Sequence, residues 1–108
     1  MAIRLALRTT SEYSLLHFEL GKEPLDTGEL KKLELPAEVL SRRHLGLILS
    51  GRGPVWLYVY LASLAHPFAW LATYDPRLNG AVVVARHVPG APEIGSLIAV
   101  ETPDLGQT

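Results

Sequence analysis

Continuous apolar runs separated by short polar insertions dominate the middle of the chain. Leu45–Leu49 is apolar throughout and ends at Ser50–Gly53, which is typical of a strand buried on both faces, although a short buried helix gives the same pattern. Pro54 suits the first position of a helix, and Val55–Ala65 is almost entirely apolar. We therefore predict a strand followed by a helix that ends before His66, since the next residue is proline.

Two further apolar runs, Phe68–Tyr74 and Ala81–Ala85, predict the next two strands. A strand, a helix and a strand over this length form a βαβ unit, in which the two strands run parallel with a right-handed crossover. Parallel strands end at the same edge of a sheet. We therefore expect the Ser50–Gly53 loop to face the corner at Asp75–Arg77, at the carboxyl edge where ligands of open α/β sheets usually bind.

The flanking segments predict the rest of the sheet. Ile3–Arg8 alternates apolar and charged residues, and Tyr13–Leu20 is a second β-like run, so the two are interpreted as an N-terminal hairpin. Asp26 followed by Glu29 resembles a capping box that opens a short helix. A final strand is predicted at Ser96–Val100, followed by a frayed tail from residue 102.

Length and charge limit the class of protein. The 108 residues fit one domain, residues 1–108, and we predict an α/β fold whose mixed sheet contains a central βαβ unit and an N-terminal β-hairpin. The net charge of −1 disfavours binding to DNA or long RNA, so any nucleic-acid ligand should be small. The absence of cysteine excludes disulfides and thiolate metal sites. Without a signal peptide or an apolar span of ~18 residues, we expect a cytoplasmic protein with no membrane contact.

The predicted carboxyl edge has the parts of an anion-binding site. Gly51 and Gly53 permit close approach of backbone N–H groups, and the helix start adds free N–H groups and the positive end of its dipole. Arg52 and Arg77 can each hold a phosphate through two hydrogen bonds. A phosphorylated or nucleotide-like ligand is our hypothesis. The alternative is that the glycines only form a tight turn and the arginines are solvated.

Polar residues outside this edge have plainer interpretations. His17 lies within the second β-like run and is interpreted as structural or exposed. Arg42 and Arg43 are adjacent, which is typical of a solvated surface; the alternative is a contact with a partner or ligand.

His66 and Asp75 stand at the beginning and the end of the same predicted strand. At ~3.3 Å per extended residue they lie roughly 25 to 30 Å apart, so they cannot share a site within one subunit. If the next strand returns through a turn at Asn79-Gly80, His87 comes back toward His66, and the two histidines form a candidate metal pair. The alternatives are that His66 interacts with the helix C-terminal dipole and that His87 is a surface residue.

These motifs also carry a resemblance. The series Ser50–Tyr58, His66-Pro67, Ala72–Leu78 and Gly80–Val84 resembles the small CRISPR-associated Csx-three family, also called CRISPR ring nuclease three. The match is close over the central part of the chain and looser at Phe18–Lys22. The combined series is far more specific than any one of its pieces.

The resemblance implies a Rossmann-like domain, distantly related to the CARF domain, that accompanies type III CRISPR systems. Members of this family bind cyclic tetra-adenylate and cleave it, which switches off the second-messenger signal. A manganese-dependent 3′ deadenylating exoribonuclease is the first alternative, and a non-catalytic cyclic-oligoadenylate sensor is the second. Carried over by position, the resemblance implies that His66 and Asp75 are catalytic and that the ligand is contacted by Ser50, Gly51, Arg52, Gly53 and Arg77.

Joint catalysis by His66 and Asp75 then requires more than one subunit. A two-fold dimer with two copies of the Asp75 edge suits the rotational symmetry of cyclic tetra-adenylate. We expect homodimers that stack head to tail into tetramers or filaments around the ligand. Asp75 would align a ribose 2′-hydroxyl or a Mn²⁺ ion, and His66 would assist proton transfer or, with His87, bind metal.

Overall fold

The computed structural model describes residues 3–22 and 25–100, which form a six-stranded mixed sheet in the order β1-β2-β3-β4-β5-β6. The helices are α1 (Ala37–Leu40), α2 (Val55–Leu64) and a 3₁₀ helix (Thr27–Lys32). The strands are β1 (Ile3–Thr9), β2 (Tyr13–Leu20), β3 (Gly46–Gly51), β4 (Trp70–Asp75), β5 (Gly80–Arg86) and β6 (Leu97–Ile98).

Parallel strands form the centre of the sheet and antiparallel pairs lie on both sides. β3 pairs in parallel with both β2 and β4, whereas β1 with β2, β4 with β5, and β5 with β6 are antiparallel. The predicted N-terminal hairpin and the predicted β3–α2–β4 unit are thus confirmed. The more specific Rossmann-like, CARF-like relationship stays a prediction.

Several predicted boundaries are wrong by a few residues. Ser50 and Gly51 belong to β3 rather than to the loop after it. β4 begins only at Trp70 rather than at Phe68, because residues 65–69 form turns and bends. The last strand contains two residues rather than Ser96–Val100. The tail predicted to fray from residue 102 lies outside the described residues.

The helix near the start is more tightly wound than an α-helix, with about 3.0 residues per turn. Asp26 caps it as predicted, since its carboxylate accepts a hydrogen bond from the Gly28 N–H at 3.0 Å. The segment Thr27–Lys32 is a 3₁₀ helix, a form that proteins use in such short connections.

Helices cover one face of the sheet, here called the helix face. A large apolar cluster lies between these helices and the sheet. It is the main source of stability of the fold, because fully burying one large apolar side chain contributes about 1.5–3 kcal/mol. Among the described residues, no helix is long and apolar enough to cross a bilayer. The helix-face cluster includes Leu16, Phe18, Leu47 and Leu49 from the sheet and Leu57 and Leu61 from α2.

The other side of the sheet, here called the opposite face, has a smaller apolar cluster. Leu15, Ile48 and Val83 are buried there, with Ala91 and Ile98 packed against them. The two clusters explain why β3 is apolar at consecutive positions: its side chains alternate between two covered faces.

Arg42 ties the chain before β3 to the turn between β1 and β2. Its Nε donates to Ser14 Oγ at 2.9 Å, and its guanidinium also donates to the carbonyls of Thr10 and Tyr13. The interpretation of Arg42 as a solvated residue is therefore wrong, whereas its contact with a partner or ligand stays a prediction. Arg43 is exposed, as expected for a solvated residue.

Candidate functional site

A shallow depression marks the carboxyl edge of the parallel strands. Gly53, Val55 and Tyr58 line it from the α2 side, and Asp75–Arg77 line it from the corner after β4. The predicted approach of the glycine loop to this corner is therefore confirmed. Arg52 is exposed on the loop beside the depression.

Contacts with Phe18 explain why residues 51 and 53 are both glycine. Gly51 has a positive φ of 138°, and a Cβ atom there would lie 2.4 Å from the Phe18 carbonyl oxygen. A Cβ atom at Gly53 would lie 2.8 Å from Cε1 of the same ring. The glycines thus have a packing function whether or not they also contact a ligand.

Tyr58 fixes the direction of the peptide group that follows Gly51. Its hydroxyl donates to the Gly51 carbonyl at 2.5 Å, and its ring packs edge-on against Phe18 at a centroid distance of 5.0 Å. Because a trans peptide directs its C=O and N–H to opposite sides, the Arg52 N–H points away from Tyr58. Burial raises the pKa of Tyr58, so its hydroxyl stays a proton donor.

This role of Tyr58 was not predicted from the sequence. The signal was a tyrosine in the first turn of an otherwise apolar helix, since a buried tyrosine hydroxyl usually finds a hydrogen-bond partner.

The first turn of α2 adds donors at the same edge. Pro54 is the N-cap residue and provides no side-chain hydrogen bond, while its carbonyl accepts the N–H groups of Leu57 and Tyr58. The N–H groups of Val55 and Trp56 have no partner within the helix. They are therefore suited to an anion placed at the edge.

Asp75 is held as a carboxylate by Arg77. The Arg77 backbone N–H donates to Oδ1 at 2.9 Å, and the guanidinium donates from Nε to Oδ1 at 3.2 Å and from an amino group to Oδ2 at 3.1 Å. The guanidinium hydrogen bond is the main cause that lowers the pKa of Asp75, followed by the backbone hydrogen bond. The same contact raises the pKa of Arg77.

Arg77 is therefore engaged rather than free to hold a phosphate through two new hydrogen bonds. Its side chain is 88% exposed, so a ligand can reach its outer side or exchange with the carboxylate.

The side chain of Ser50 lies on the opposite face rather than in the depression. It is 2% exposed, and its Oγ is 3.1 Å from Nδ1 of His17, which is its register neighbour on β2. Burial is the main cause that lowers the pKa of His17, and the Glu19 carboxylate opposes it. The structural interpretation of His17 thus agrees with its contact.

The two candidate metal histidines meet at the other end of the βαβ unit. The ring centroids of His66 and His87 are 5.0 Å apart, because the β4–β5 hairpin returns as the Asn79-Gly80 turn predicted. Nδ1 of His87 lies 2.8 Å from the Phe68 carbonyl oxygen, which only accepts, so Nδ1 carries the proton and Nε2 is the free acceptor. The predicted approach of the two histidines is confirmed.

This pair does not fit a resident Mn²⁺ ion. Among residues 3–22 and 25–100, no three or more His, Cys, Asp or Glu side chains gather around one point. Mn²⁺ prefers carboxylate, carbonyl and water oxygens, whereas His66 and His87 offer two imidazoles and no carboxylate. We therefore assign no chemical step to manganese.

Asp75 and His66 are not brought together within one subunit. Asp75 ends β4, whereas His66 lies in the turn before it, so β4 separates the two groups along its full length. The structure thus has one end with a carboxylate and helix donors and another end with two imidazoles.

The molecule is thus a small α/β domain whose polar chemistry is divided between the two ends of its sheet. Residues 18–99 match the family of CRISPR-associated proteins described as Cas_csx3, and the chain belongs to that family. A relative from Aquifex aeolicus (strain VF5), described as an uncharacterized protein, is 39% identical over 95 residues, which cover 87% of this chain and 84% of the relative. The family membership confirms the resemblance found in the sequence.

Proposed function

We propose that this CRISPR-associated protein binds cyclic tetra-adenylate and cleaves it, so that it switches off the second-messenger signal of a type III CRISPR system. The observation that carries the proposal is the Asp75 edge, where an ionised carboxylate stands beside the N-terminus of α2 and an exposed arginine. Such an edge offers donors for phosphates and an acceptor for a ribose hydroxyl at the same place.

Phosphates of the ring would be held by backbone and arginine donors. The Arg52 N–H points away from Tyr58, and the N–H groups of Val55 and Trp56 lie at the helix start. The guanidinium of Arg52 is exposed and adds a cation that can move to meet the ligand. A ligand of this size needs only such a local set of donors, which agrees with a net charge of −1.

Asp75 and His66 would share the cleavage step. Asp75 accepts a hydrogen bond from a ribose 2′-hydroxyl and aligns its oxygen with the adjacent phosphorus. The imidazole of His66 takes the 2′-hydroxyl proton as the bond from O2′ to phosphorus forms, and it returns that proton to O5′ as the bond from phosphorus to O5′ breaks. The products are a 2′,3′-cyclic phosphate and a 5′-hydroxyl, so the step needs neither water nor an oxidant.

The two groups would come from different subunits. We propose that homodimers stack head to tail, with the Asp75 edge of one dimer and the His66 end of the next on either side of the ring. The ligand then lies between two protein surfaces, which excludes water from the reacting phosphate. Stacking of this kind produces tetramers or filaments.

The experiment incubates the pure protein with cyclic tetra-adenylate and with cyclic hexa-adenylate, once with Mn²⁺ and once with a chelator, and follows the products by chromatography. We expect cyclic tetra-adenylate to open at similar rates in both conditions. His66→Ala and Asp75→Asn should each remove at least about 99% of the activity, a typical cost of losing acid–base chemistry. The matched controls are His44→Ala and Glu38→Gln, which change exposed residues elsewhere and should leave activity unaltered.

The other outcomes each reject the proposal in a defined way. Tight binding without turnover would make the protein a sensor. Shortening of linear 3′-adenylated RNA at the rate of ring opening, only with Mn²⁺, would make it an exoribonuclease.

A further inference from the structure

Thr73 brings a hydroxyl group to the depression at the carboxyl edge. It belongs to β4 and stands two residues before Asp75. Leu71 lies in the helix-face cluster, whereas Ala72 lies in the cluster of the opposite face. Because successive side chains of a strand alternate between the two faces, Thr73 and Asp75 both project to the helix face. Both residues line the depression.

The packing of the sheet does not require this hydroxyl. The register partners of Thr73 are Leu49 on β3 and Val82 on β5, and both have apolar side chains. A strand in such surroundings favours a β-branched residue, and valine has nearly the same shape without the polar group. The hydroxyl of Thr73 is therefore an addition to what the fold needs.

The Thr73 hydroxyl has no partner in the described part of the chain, in contrast to the polar groups around it. The Tyr58 hydroxyl donates to the Gly51 carbonyl, and Arg77 donates to both oxygens of Asp75. Within residues 3–22 and 25–100, the Thr73 side chain forms no hydrogen bond. Since this side chain is half-buried in the lining of the depression, its hydroxyl is free to bond to water or to a ligand.

The spacing of Thr73 and Asp75 suits a single hydroxyl group placed between them. Residues two positions apart on a strand are separated by roughly 6.6–6.8 Å, with their side chains side by side. Two hydrogen bonds of about 2.7–2.8 Å each, from a shared hydroxyl oxygen, span most of this separation. The ionised Asp75 can only accept, whereas Thr73 can donate. A ligand hydroxyl would therefore donate to Asp75 and accept from Thr73.

We propose that Thr73 is a specificity-determining residue that donates a hydrogen bond to the oxygen of a ribose 2′-hydroxyl, so that the edge selects ribonucleotides over deoxyribonucleotides. The inference rests on the proposed function, which places a 2′-hydroxyl at Asp75 before the reaction. It adds the group that recognises the oxygen of that hydroxyl. The 2′-hydroxyl is both a donor and an acceptor, and it is the group by which proteins distinguish RNA from DNA.

Thr73 thus takes the place at the edge that the resemblance gave to the Ser50 side chain. The Ser50 hydroxyl lies on the opposite face, where it contacts His17 and is 2% exposed. The alternation of β3 and β4 decides which hydroxyl reaches the depression, and it selects Thr73.

The experiment is a double-mutant cycle between the protein and its ligand. The Kd values for cyclic tetra-adenylate and for the corresponding ring of four 2′-deoxyadenylates are measured by calorimetry, for the parent protein and for Thr73→Val. All proteins carry His66→Ala, so that the ribose ring is not opened during the titration. This background change is the same in every measurement and cancels in the cycle.

We expect Thr73→Val to raise the Kd for the ribose ring about fivefold, which is the ordinary cost of one hydrogen bond between neutral groups. The Kd for the deoxyribose ring should not change, because that ring has no 2′-hydroxyl to accept the bond. Thr73→Ser keeps the hydroxyl and should keep the preference for the ribose ring. Thr9→Val, which removes an exposed hydroxyl from β1 outside the depression, is the matched control and should bind both rings as the parent does.

Three results would overturn the inference. Equal weakening of both rings by Thr73→Val would mean that Thr73 acts on the shape of the edge rather than on the 2′-hydroxyl. Unchanged binding of both rings would mean that Thr73 does not contact the ligand. A lower unfolding midpoint of Thr73→Val in urea would mean that the hydroxyl supports the fold, whereas we expect the midpoint to be maintained because valine suits a strand.

The proposed function and this inference fail in different ways. A Thr73-dependent preference for the ribose ring, in a protein that without His66→Ala does not open that ring, would retain the inference and reject the cleavage. Ring opening by that protein, together with equal weakening of both rings in Thr73→Val, would reject the inference alone. Absence of binding to either ring would reject both.

Discussion

Arg77 occupies both carboxylate oxygens of Asp75, with its guanidinium nitrogens 3.2 Å from Oδ1 and 3.1 Å from Oδ2. The contact lowers the pKa of Asp75, so the carboxylate is ionised in the folded protein at pH values where a free aspartate begins to take up a proton. Its small contribution to stability is therefore present above the unfolded-state pKa and is lost as the pH falls through the folded-state pKa.

Replacing Arg77 should raise the pKa of Asp75. In Arg77→Gln the hydrogen bonds from the guanidinium are lost, so the pKa of the Asp75 carboxyl rises toward its ordinary value. The measurement is the titration of the Asp75 carboxyl carbon by NMR, which reports this group directly and not the proposed base His66. Arg43→Gln, which changes an exposed arginine away from the edge, should keep the wild-type titration. An unshifted Asp75 titration in Arg77→Gln would contradict the role of Arg77.

Tyr58→Phe should weaken ligand binding and stability together. The change removes the hydroxyl that holds the Gly51 carbonyl at 2.5 Å, so the Arg52 N–H is no longer fixed toward the edge. A lost hydrogen bond of this kind costs about 1 kcal/mol in the free energy of unfolding, measured by urea denaturation. We expect a rise in the Kd for cyclic tetra-adenylate of about tenfold, equivalent to about 1.4 kcal/mol. Tyr60→Phe, on the same helix, is the control. An equal loss of affinity and stability in Tyr60→Phe would contradict the role of the hydrogen bond between Tyr58 and Gly51.

Gly51→Ala tests whether packing against Phe18 requires the glycine. Both the positive φ and a Cβ atom 2.4 Å from the Phe18 carbonyl oxygen should destabilise the variant by about 3 kcal/mol or more, since backbone strain alone costs about 1–3 kcal/mol. Gly90→Ala is a matched control, because Gly90 also has a positive φ, 85°, but open space around it. We expect Gly90→Ala to lose less stability than Gly51→Ala, measured by thermal denaturation. Equal losses of stability would mean that the positive φ, and not the contact with Phe18, causes the whole effect.

Arg42→Lys should destabilise the fold much more than Arg43→Lys. Arg42 donates to Ser14 Oγ and to the carbonyls of Thr10 and Tyr13. The ammonium group of lysine cannot reproduce these hydrogen bonds, because it lacks the planar, spread donors of the guanidinium. Hydrogen bonds from a charged group contribute about 1.5–3 kcal/mol, so a loss of that order in the free energy of unfolding is expected for Arg42→Lys. The neighbouring Arg43 variant should change stability by less than about 0.5 kcal/mol. Similar losses of stability in the two variants would contradict the conclusion that Arg42 holds the chain before β3 to the β1–β2 hairpin.

Local patterns were sufficient to predict most of the sheet. The apolar run before Ser50, the proline at the start of α2 and the Asn79-Gly80 turn each specify an element through short-range geometry. These rules also predicted the meeting of His66 and His87, because a hairpin fixes its own register. Boundaries were predicted less accurately: β4 begins at Trp70 rather than at Phe68, because residues 65–69 form turns and bends that the apolar run does not reveal.

The contacts of the candidate site were harder to predict. The sequence did not indicate that Ser50 faces His17, because that contact depends on strand register. The position of Tyr58 in α2 indicated a hydrogen-bonded hydroxyl but did not identify the Gly51 carbonyl as its partner. The pairing of Arg77 with Asp75 could have been predicted, because the two residues are close in sequence. Each was instead predicted to act on the ligand by itself. Long-range register is thus the main information that the sequence pattern lacked.

The central claim is that one site uses Asp75 from one copy and His66 from another. The most direct measurement mixes inactive His66→Ala protein with inactive Asp75→Ala protein and follows the opening of cyclic tetra-adenylate across a range of ratios. The account predicts recovered activity that is highest near equal amounts, because only mixed contacts then contain both intact groups. Activity that stays at the level of the single variants at every ratio would contradict the shared site.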